Sequence, residues 1–597
     1  MREVIFLNFG NTSNFISTHF WNLNDELFKV EDKFLVDNSV IYDDRLNPRN
    51  MIFDYSENIR PYFTSNDKLT SKARKNIEEE VRNNNRQYQI KTYEMDAGLV
   101  EDNKFLDLIN EITIDEEEYN QFKNSHNKRE DDYDQYNKSN SQMIQLKSHN
   151  ELISTENQTN LPSNEIFKLS DEKIYDYLDL PNQIKNWNDF LQPKFHRRTF
   201  NEIVTGDVDL FSRNSYIKGH QFLHSENFAY SYLEPFEDNF RKFLEDCDKL
   251  ELLNINVDFN SFWGGVSNSM IDQINDSIPK VMKIFNGVDS HSSFYSQFDD
   301  SFNVEKFINY LWYFTDLNSL KDSKSLFLPI FKHQNPSLIK ETFGHNYNFK
   351  VDSHDPVYDF YFSSICGANL HSLYLPLRSK YFNKSSIFYN LLHTTSSSLN
   401  FFETDTLLDI DTCNLVQNMK TNGLPFNFSR NIRAKDFSWM KLYENSYKLN
   451  KFNSTVIHGF NEKNVFLDQK IESFLIKHSG INYTSVDRID APLCFPRKVL
   501  NSKGEGRFLK DLSLMCNYRP FVEFPLINFK FFPDYFKGFD LEVRKYLINH
   551  DNSKYIEYRE KIEEFYQLVD SYDYINEAYG LNIKGLGDNS EDEEADY

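Results

Sequence analysis

The residues of this chain most suited to chemistry lie in two glycine-containing turns, each after an apolar run. Gly10 ends the run VIFLNF and precedes the polar residues 11–14 (NTSN), which can cap a helix. Gly264 and Gly265 follow the run LLNINV and precede Ser267. A turn from a strand into a helix can bind a phosphate through backbone N–H groups. The two turns are therefore candidate anion-binding loops, although such openings are common in parallel α/β proteins and most of them bind no ligand.

A third candidate is Asp54, which ends the run NMIFD. α/β folds place ligand-facing groups at this end of a strand. Established catalytic signatures are missing, since the chain has no G-x-S-x-G elbow, no P-loop lysine motif and no HExxH helix. Gly504 and Gly506 form a lone GxG, which is typical of a surface turn. We therefore predict no catalytic residue.

The elements around these turns have the patterns of an α/β fold. Residues 4–9 and 252–257 are apolar runs typical of strands buried on both faces. Apolar residues at helical spacing predict a helix from about residue 227 to 250, and a second helix over 270–278. The paired glycines are then expected in a turn at 262–269, ahead of that second helix.

Composition excludes some classes of protein. The chain has 597 residues and a net charge of -25, with a pI near 5.1, which argues against a nucleic-acid binder because phosphate contacts need a basic face. No secretory signal or membrane-spanning helix is predicted, because the N-terminus reads as a strand and runs such as 326–331 are too short. Any membrane association is expected to be peripheral.

The cysteines indicate neither a metal site nor a disulfide framework. They are scattered, with no CxxC pair and no histidine cluster at metal-ligand spacing, so that no metal site is predicted. They read as reduced thiols of an intracellular protein: Cys247, Cys366, Cys413, Cys494 and Cys516.

Two segments differ in composition from the rest. Residues 64–182 are rich in Asn, Asp, Glu, Lys and Ser, and 124–164 within them are predicted to be a disordered surface insertion. Near the C-terminus, 553–572 has one aromatic and aliphatic face and predicts an amphipathic helix that packs on the body or binds a partner helix. The acidic tail at 588–596 is predicted to be disordered.

Several segments together resemble tubulins. The first twenty-one residues, MREVIFLNFGNTSNFISTHFW, align with the opening of a tubulin without a gap. Residues 214–220 (NSYIKGH) resemble the tubulin loop that ends in Trp-Ala-Lys-Gly-His and contacts the terminal phosphate. Residues 247–250 (CDKL) stand where tubulins have Cys-Asp-x-Leu, ahead of the main glycine loop. The resemblance implies a tubulin/FtsZ-like parallel sheet.

Within this superfamily the chain is identified as a member of the Misato family, divergent tubulin relatives linked to mitochondrial inheritance. The resemblance rests on 47–49 (NPR), the long interruption after the second strand, 187–191 (WNDFL) with 196–198 (HRR), and 424–426 (LPF). It implies a nucleotide site for GTP or GDP with Mg²⁺, formed by Gly10, Asn11, Thr12, Asn14, Asp54, Asn214, Gly264, Gly265, Ser267 and Tyr358.

Departures from the tubulin pattern put GTP hydrolysis in doubt. The GGGTGSG loop of tubulins is replaced by 263–269 (WGGVSNS), which begins with an indole. Phe362 stands where a tubulin asparagine reads the guanine edge. The catalytic loop should follow a strand at 373–377, but residues 378–384 (RSKYFNK) contain no acid to position the attacking water.

Two functions follow from the resemblance. The first is a noncatalytic tubulin-like protein that partitions mitochondria and mitochondrial DNA and maintains mitochondrial distribution and morphology. It is expected at the outer mitochondrial surface and in the cytoplasm, with the cytosolic chaperonin as a partner. The second is a GTP-binding switch or polymer-forming GTPase that uses the candidate nucleotide site.

The expected domain organisation follows the tubulin plan. Residues 1–62 supply the first strands and helix, 63–183 form the polar insertion, and 184–345 complete the first domain. A second α/β domain is expected at 346–520, with C-terminal helices and the acidic tail at 521–597.

Overall fold

The computed structural model describes the strands and helices that build the sheet and its flanking layers. These are residues 3–29, 37–59, 184–210, 212–225, 228–289, 300–320, 325–332, 356–378, 399–408, 557–565 and 567–568, with short segments between 426 and 520. The predicted insertion, the loop at 379–384 and the acidic tail lie outside the described residues.

The chain divides into two compact units. One comprises Met1–Ile59 and Pro193–Tyr597, and the other comprises Arg60–Gln192. The described part of the second unit, residues 184–192, contains the 3₁₀ helix Trp187–Phe190. The Asp189 carboxylate accepts the backbone N–H groups of Lys185 and Asn186, which fixes the start of this helix.

A parallel sheet forms the centre of the first unit. Seven strands lie in the order β3-β2-β1-β4-β5-β6-β7, and each neighbouring pair is parallel. They are β1 (Glu3–Phe9), β2 (Asn50–Tyr55), β3 (Phe200–Ile203), β4 (Leu250–Val257), β5 (Met282–Asp289), β6 (Ser325–Phe331) and β7 (Leu399–Leu408). Strands β1 and β6 are buried along their whole length, as apolar runs of this kind predict.

Beyond β7 the sheet becomes mixed. In chain order the later strands are β8 (Phe426–Asn427), β9 (Ser454–His458), β10 (Asn482–Val486), β11 (Ile489–Asp490), β12 (Asp511–Leu512) and β13 (Leu514–Pro520). Strand β13 pairs antiparallel with both β7 and β9, and β10 pairs parallel with β9. Strands β11 and β12 form a separate two-stranded ladder.

Helices cover both faces of the parallel sheet. They are α1 (Asn11–Lys29), α2 (Tyr216–His224), α3 (Glu234–Glu245), α4 (Phe262–Ser277), α5 (Asp300–Ser319), α6 (Pro356–Arg378) and α7 (557–565). Helix α1 packs against α6, and α4 packs against α2. Helix α7 packs on α5, where Lys561 Nζ lies 2.7 Å from Asp316 Oδ1 and Tyr558 is buried. The described part of the predicted C-terminal helix is therefore confirmed as a helix that packs on the body.

Three predictions about the elements need correction or comment. The predicted helix at 227–250 is shorter, because a π-helical segment, Ala229–Leu233, leads into α3, which ends at Glu245, and β4 begins at Leu250. The predicted strand at 373–377 is wrong, because these residues form the last turns of α6. Helix α6 is buried on nearly all sides, so its apolar run lacks the polar face that would mark it as a helix.

The cysteines among the described residues are free thiols.

A row of buried asparagines crosses the middle of the sheet. Asn8 on β1, Asn256 on β4 and Asn286 on β5 stand at paired register positions. Asn256 Nδ2 donates to Asn8 Oδ1 at 2.6 Å, and Asn286 Nδ2 donates to Asn256 Oδ1 at 2.8 Å. Asn8 Nδ2 in turn donates to Asn50 Oδ1 on β2 at 2.6 Å. A one-residue slip of any strand would leave these amides unpaired in the core, so the row specifies the register.

Candidate anion site at the carboxyl edge of the sheet

The N-terminus of α1 binds a carboxylate from the chain itself. Asp258 follows β4, and its Oδ2 accepts the backbone N–H of Thr12 at 3.0 Å. Its Oδ1 accepts the N–H of Ser13 at 2.9 Å and the Ser13 hydroxyl at 2.7 Å. Asp258 is 4% exposed. Free N–H groups at a helix start attract anions, and here Asp258 supplies the anion.

Gly10 allows this approach of the carboxylate to the helix. Its φ is +97°, a conformation that favours glycine. A Cβ at this position would lie 2.6 Å from Asp258 Oδ2. The turn between β1 and α1 is therefore shaped around the carboxylate, which explains why a glycine stands at position 10.

Asn14 and Asp54 join α1 to the end of β2. Asn14 Nδ2 donates to Asp54 Oδ2 at 3.0 Å and to the Phe53 carbonyl at 3.2 Å. Asp54 Oδ1 accepts the Tyr55 N–H and Asn58 Nδ2, so both of its oxygens are hydrogen-bonded within the chain. Asn11 opens the same helix, and its Oδ1 has no hydrogen-bond partner among the described residues. The sequence-predicted residues of the first turn and of β2 are thus brought together.

The second predicted loop is a helix in the structure. Helix α4 begins at Phe262 with Ser261 as its N-cap, so that residues 263–269 lie inside the helix rather than in a turn before residue 270. The Ser261 hydroxyl accepts the Trp263 N–H at 3.2 Å. The Ser267 hydroxyl donates back to the Gly264 carbonyl at 2.8 Å. The prediction of a turn at 262–269 is therefore wrong, because the serine cap starts the helix two residues before the glycines.

The glycines of α4 serve close packing against backbone. A Cβ on Gly265 would overlap the Tyr216 carbonyl of α2, and one on Gly264 would overlap the Phe259 carbonyl. Gly219 of α2 has the reciprocal role against the Phe262 carbonyl. Gly219 and Gly265 let α2 and α4 approach at backbone distance, whereas Gly264 lets the first turn of α4 pack on the backbone of Phe259, in the segment that follows β4. Their N–H groups lie in a helix rather than around an anion.

The remaining predicted residues take structural positions. The Asn214 carbonyl, just before α2, accepts Asn309 Nδ2 of α5 at 2.6 Å. Tyr358 on α6 is 1% exposed and donates its hydroxyl to the Lys332 carbonyl at 2.7 Å. Its ring lies parallel to that of Phe362, with centroids 6.1 Å apart.

Two buried ion pairs at the same edge escaped sequence analysis. Asp289, the last residue of β5, lies 3.1 Å from Lys306 Nζ and accepts the Tyr310 hydroxyl at 2.7 Å. Lys332, directly after β6, forms an ion pair with Asp359 of α6. The signal in the sequence is an aspartate or lysine directly after an apolar run, as in NVD at 256–258, GVD at 287–289 and IFK at 330–332.

The residues present do not fit the phosphate that the resemblance implies. The free N–H groups at the start of α1 are bonded to Asp258, and the space over Gly10 is filled by the same carboxylate. A phosphate placed there would meet a carboxylate where it needs a donor. Among the described residues, no cluster of three or more His, Cys, Asp or Glu could hold a metal ion. The nucleotide role of the predicted site residues stays a prediction.

Burial changes the titration of Asp258. Desolvation raises the pKa of its carboxyl to about 7, although the hydrogen bonds from Ser13 and Thr12 and the nearby charge of Lys332 act to lower it. The carboxyl therefore titrates near neutrality while it is fixed to the helix N-terminus.

Two family models match this chain. The Misato Segment II tubulin-like domain matches residues 2–111, and the Tubulin domain matches residues 179–378. Protein DML1 of Gibberella zeae is 22% identical to the chain over 294 residues. This alignment covers 47% of the chain and 44% of that relative, so the chain aligns with less than half of the relative's length.

We predict that Gly265→Ala separates α2 from α4. The added Cβ overlaps the backbone of Tyr216, so that the two helices must shift, which costs about 1–3 kcal/mol of unfolding free energy. Gly206→Ala is the matched control, since no atom lies within 4 Å of its Cβ position, and it should change stability by less than about 0.5 kcal/mol. Urea unfolding of both variants measures the difference, and equal stability would contradict the packing role.

A second prediction concerns pH. Because the pKa of Asp258 is about 7 in the fold and 3.8 ordinarily, the folded state binds more protons between these values. The contribution of Asp258 to the unfolding free energy therefore falls as pH rises from about 4 to 7 and is constant above that range. Asp258→Asn removes this slope, so the variant should gain stability relative to the unmodified protein across the window, by at most about 4 kcal/mol.

The readout is the slope rather than the offset, because the amide introduced by Asp258→Asn has one acceptor oxygen and also loses a hydrogen bond from the Thr12 N–H. Urea unfolding of both proteins at several pH values between about 4 and 8 gives this slope. A stability difference that does not change with pH would show that Asp258 ionises normally.

Proposed function

Since the chain is a tubulin-like protein of the Misato family, we propose that it acts without catalysis in mitochondrial partitioning and distribution. The role includes the inheritance of mitochondrial DNA and the maintenance of mitochondrial morphology, as membership of this family implies. The match to the Tubulin domain ends with α6 at residue 378, so it covers β3 to β6 and the helices between them. The proposed role is thus argued from the shared type of fold, and no enzymatic motif is used to support it.

The noncatalytic part of this proposal rests on how the chain uses its two predicted phosphate loops. The N-terminus of α1, which would bind a nucleotide phosphate, is bonded to Asp258 of the same chain. The second predicted phosphate loop is part of α4, with Gly265 against the backbone of α2 and Gly264 against the backbone of Phe259. A cycle of nucleotide exchange and hydrolysis needs both loops free to bind and release phosphate. Both are used within the fold instead.

We place the protein at the outer mitochondrial surface and in the cytoplasm, with the cytosolic chaperonin among its partners. Within the described residues no helix has the length and apolar character to span a bilayer. A tubulin-like fold with many long-range strand pairings is a plausible substrate for the chaperonin, since such topologies fold slowly.

A GTP-binding switch or polymer is the second candidate. One observation favours it: Gly10, Thr12, Asn14 and Asp54 are brought together at one edge of the sheet, as in a nucleotide site. The occupation of the helix N-terminus by Asp258 weighs against it. The two candidates differ in what the purified protein contains and does.

We predict that the purified protein carries far less than one guanine nucleotide per chain and does not hydrolyse GTP. Denaturation followed by chromatography of the released nucleotide measures the first, and phosphate release with light scattering measures turnover and assembly. Tubulin treated in parallel is the positive control. Turnover coupled to assembly would establish the switch and refute the noncatalytic proposal.

In cells we predict that depletion alters mitochondrial distribution and lowers the mitochondrial DNA content of daughter cells. Expression of the unmodified chain should restore both, and Gly206→Ala should restore them equally, because its Cβ contacts nothing. Microscopy and counting of mitochondrial DNA give the readout. Normal mitochondria and normal DNA content after complete depletion would refute the mitochondrial role.

A further inference from the structure

We infer that the carboxylate of Asp258 is a built-in substitute for a phosphate, and that its removal opens a site for a phosphate group at the start of α1. The inference deepens the noncatalytic part of the proposed function and rests on it. It names Asp258 as the residue that closes the site, and phosphate as the class of ligand that the site would bind once Asp258 is removed.

The first argument is the set of donors. The backbone N–H groups of Thr12 and Ser13 and the Ser13 hydroxyl all point to one carboxylate, at 2.7 to 3.0 Å. The Asn14 N–H already donates to the Gly10 carbonyl, and the N–H groups of Thr12 and Ser13, which come before it in the first turn, are the ones used on Asp258. Three convergent donors at a helix start are the arrangement that binds a phosphate oxygen.

The second argument is the way in which the main chain holds Asp258. Its N–H donates to the Phe9 carbonyl at the end of β1, at 3.0 Å. Its carbonyl accepts the hydroxyl of Ser261, the N-cap of α4, at 2.7 Å. Asp258 is thus fixed to β1 on one side and to α4 on the other. The carboxylate stands where these anchors place it and cannot leave as a bound phosphate can.

The third argument is the space and charge around the carboxylate. The volume that a side chain on Gly10 would occupy is taken by Asp258 Oδ2. Lys332, directly after β6, lies near enough for its positive charge to act on Asp258. Removal of the carboxylate leaves the donors and the open face of Gly10, while Lys332 keeps its ion pair with Asp359. This combination favours a compact dianion over a neutral ligand.

Asp258→Gly tests the inference, with inorganic phosphate as the probe. Phosphate should raise the Tm of the purified D258G protein by about 2 °C or more in a concentration-dependent way, because it binds the folded state only. Chloride at equal ionic strength should not. The unmodified protein and Asp258→Asn should show no phosphate effect, since a carboxylate or an amide of the same size still fills the site. Isothermal titration of D258G should give one phosphate per chain.

The outcomes decide the inference in every case. Stoichiometric binding of phosphate or GTP by the unmodified protein would overturn it, as would a folded D258G that does not respond to phosphate. A D258G protein that folds only with phosphate supports it. If D258G stays unfolded in both buffers, Asp258→Ala is judged by the same criterion. Failure of the mitochondrial role appears in the depletion experiment and leaves these binding results unchanged.

Discussion

The contact on which the carboxyl edge of the sheet depends is the carboxylate of Asp258 at the N-terminus of α1. Through it the end of β4 is bonded to the helix that follows β1, and through its backbone Asp258 is bonded to Phe9 and to the cap of α4. Two strands and two helices therefore meet at a single buried residue. At the position where a nucleotide-binding relative would bind an exchangeable ligand, this chain has the side chain of Asp258.

The same principle extends along the edge. Asp54 after β2 is bonded to Asn14, Asp289 at the end of β5 to Lys306 and Tyr310, and Lys332 after β6 to Asp359. Buried charges are tolerated when they are paired and hydrogen-bonded, and removal of one partner is costly because the other is left unpaired. A ligand that entered here would first have to break such pairs. The edge has the polar residue types of a binding site, but these residues are buried and bonded to one another.

The sequence allows prediction of the parallel sheet and of the first turn, because apolar runs such as residues 4–9 and a glycine before four capping residues have few structural readings. It does not allow prediction of what surrounds the paired glycines. Gly264 and Gly265 suit a phosphate loop or a close backbone contact equally, and only the positions of Phe259 and of α2 decide. The same limit applies to 373–377, since a helix buried on all sides has no polar face. Asp258 escaped notice because its partners are more than 240 residues away.

A switch requires that one state be stabilised by a ligand that the other state lacks. In the tubulin pattern that the first turn resembles, that ligand would be a nucleotide phosphate. When the group at the helix start is a side chain fixed by β1 and α4, no exchange reaction can remove it, and only its protonation changes with pH. Under the proposed role, the opening strand, glycine and helix keep the fold of a nucleotide site without a cycle of nucleotide exchange and hydrolysis. Under the proposed noncatalytic role, a tubulin-like chain of this kind would act through the surfaces that its fixed fold presents, with regulation by partners or abundance rather than by hydrolysis.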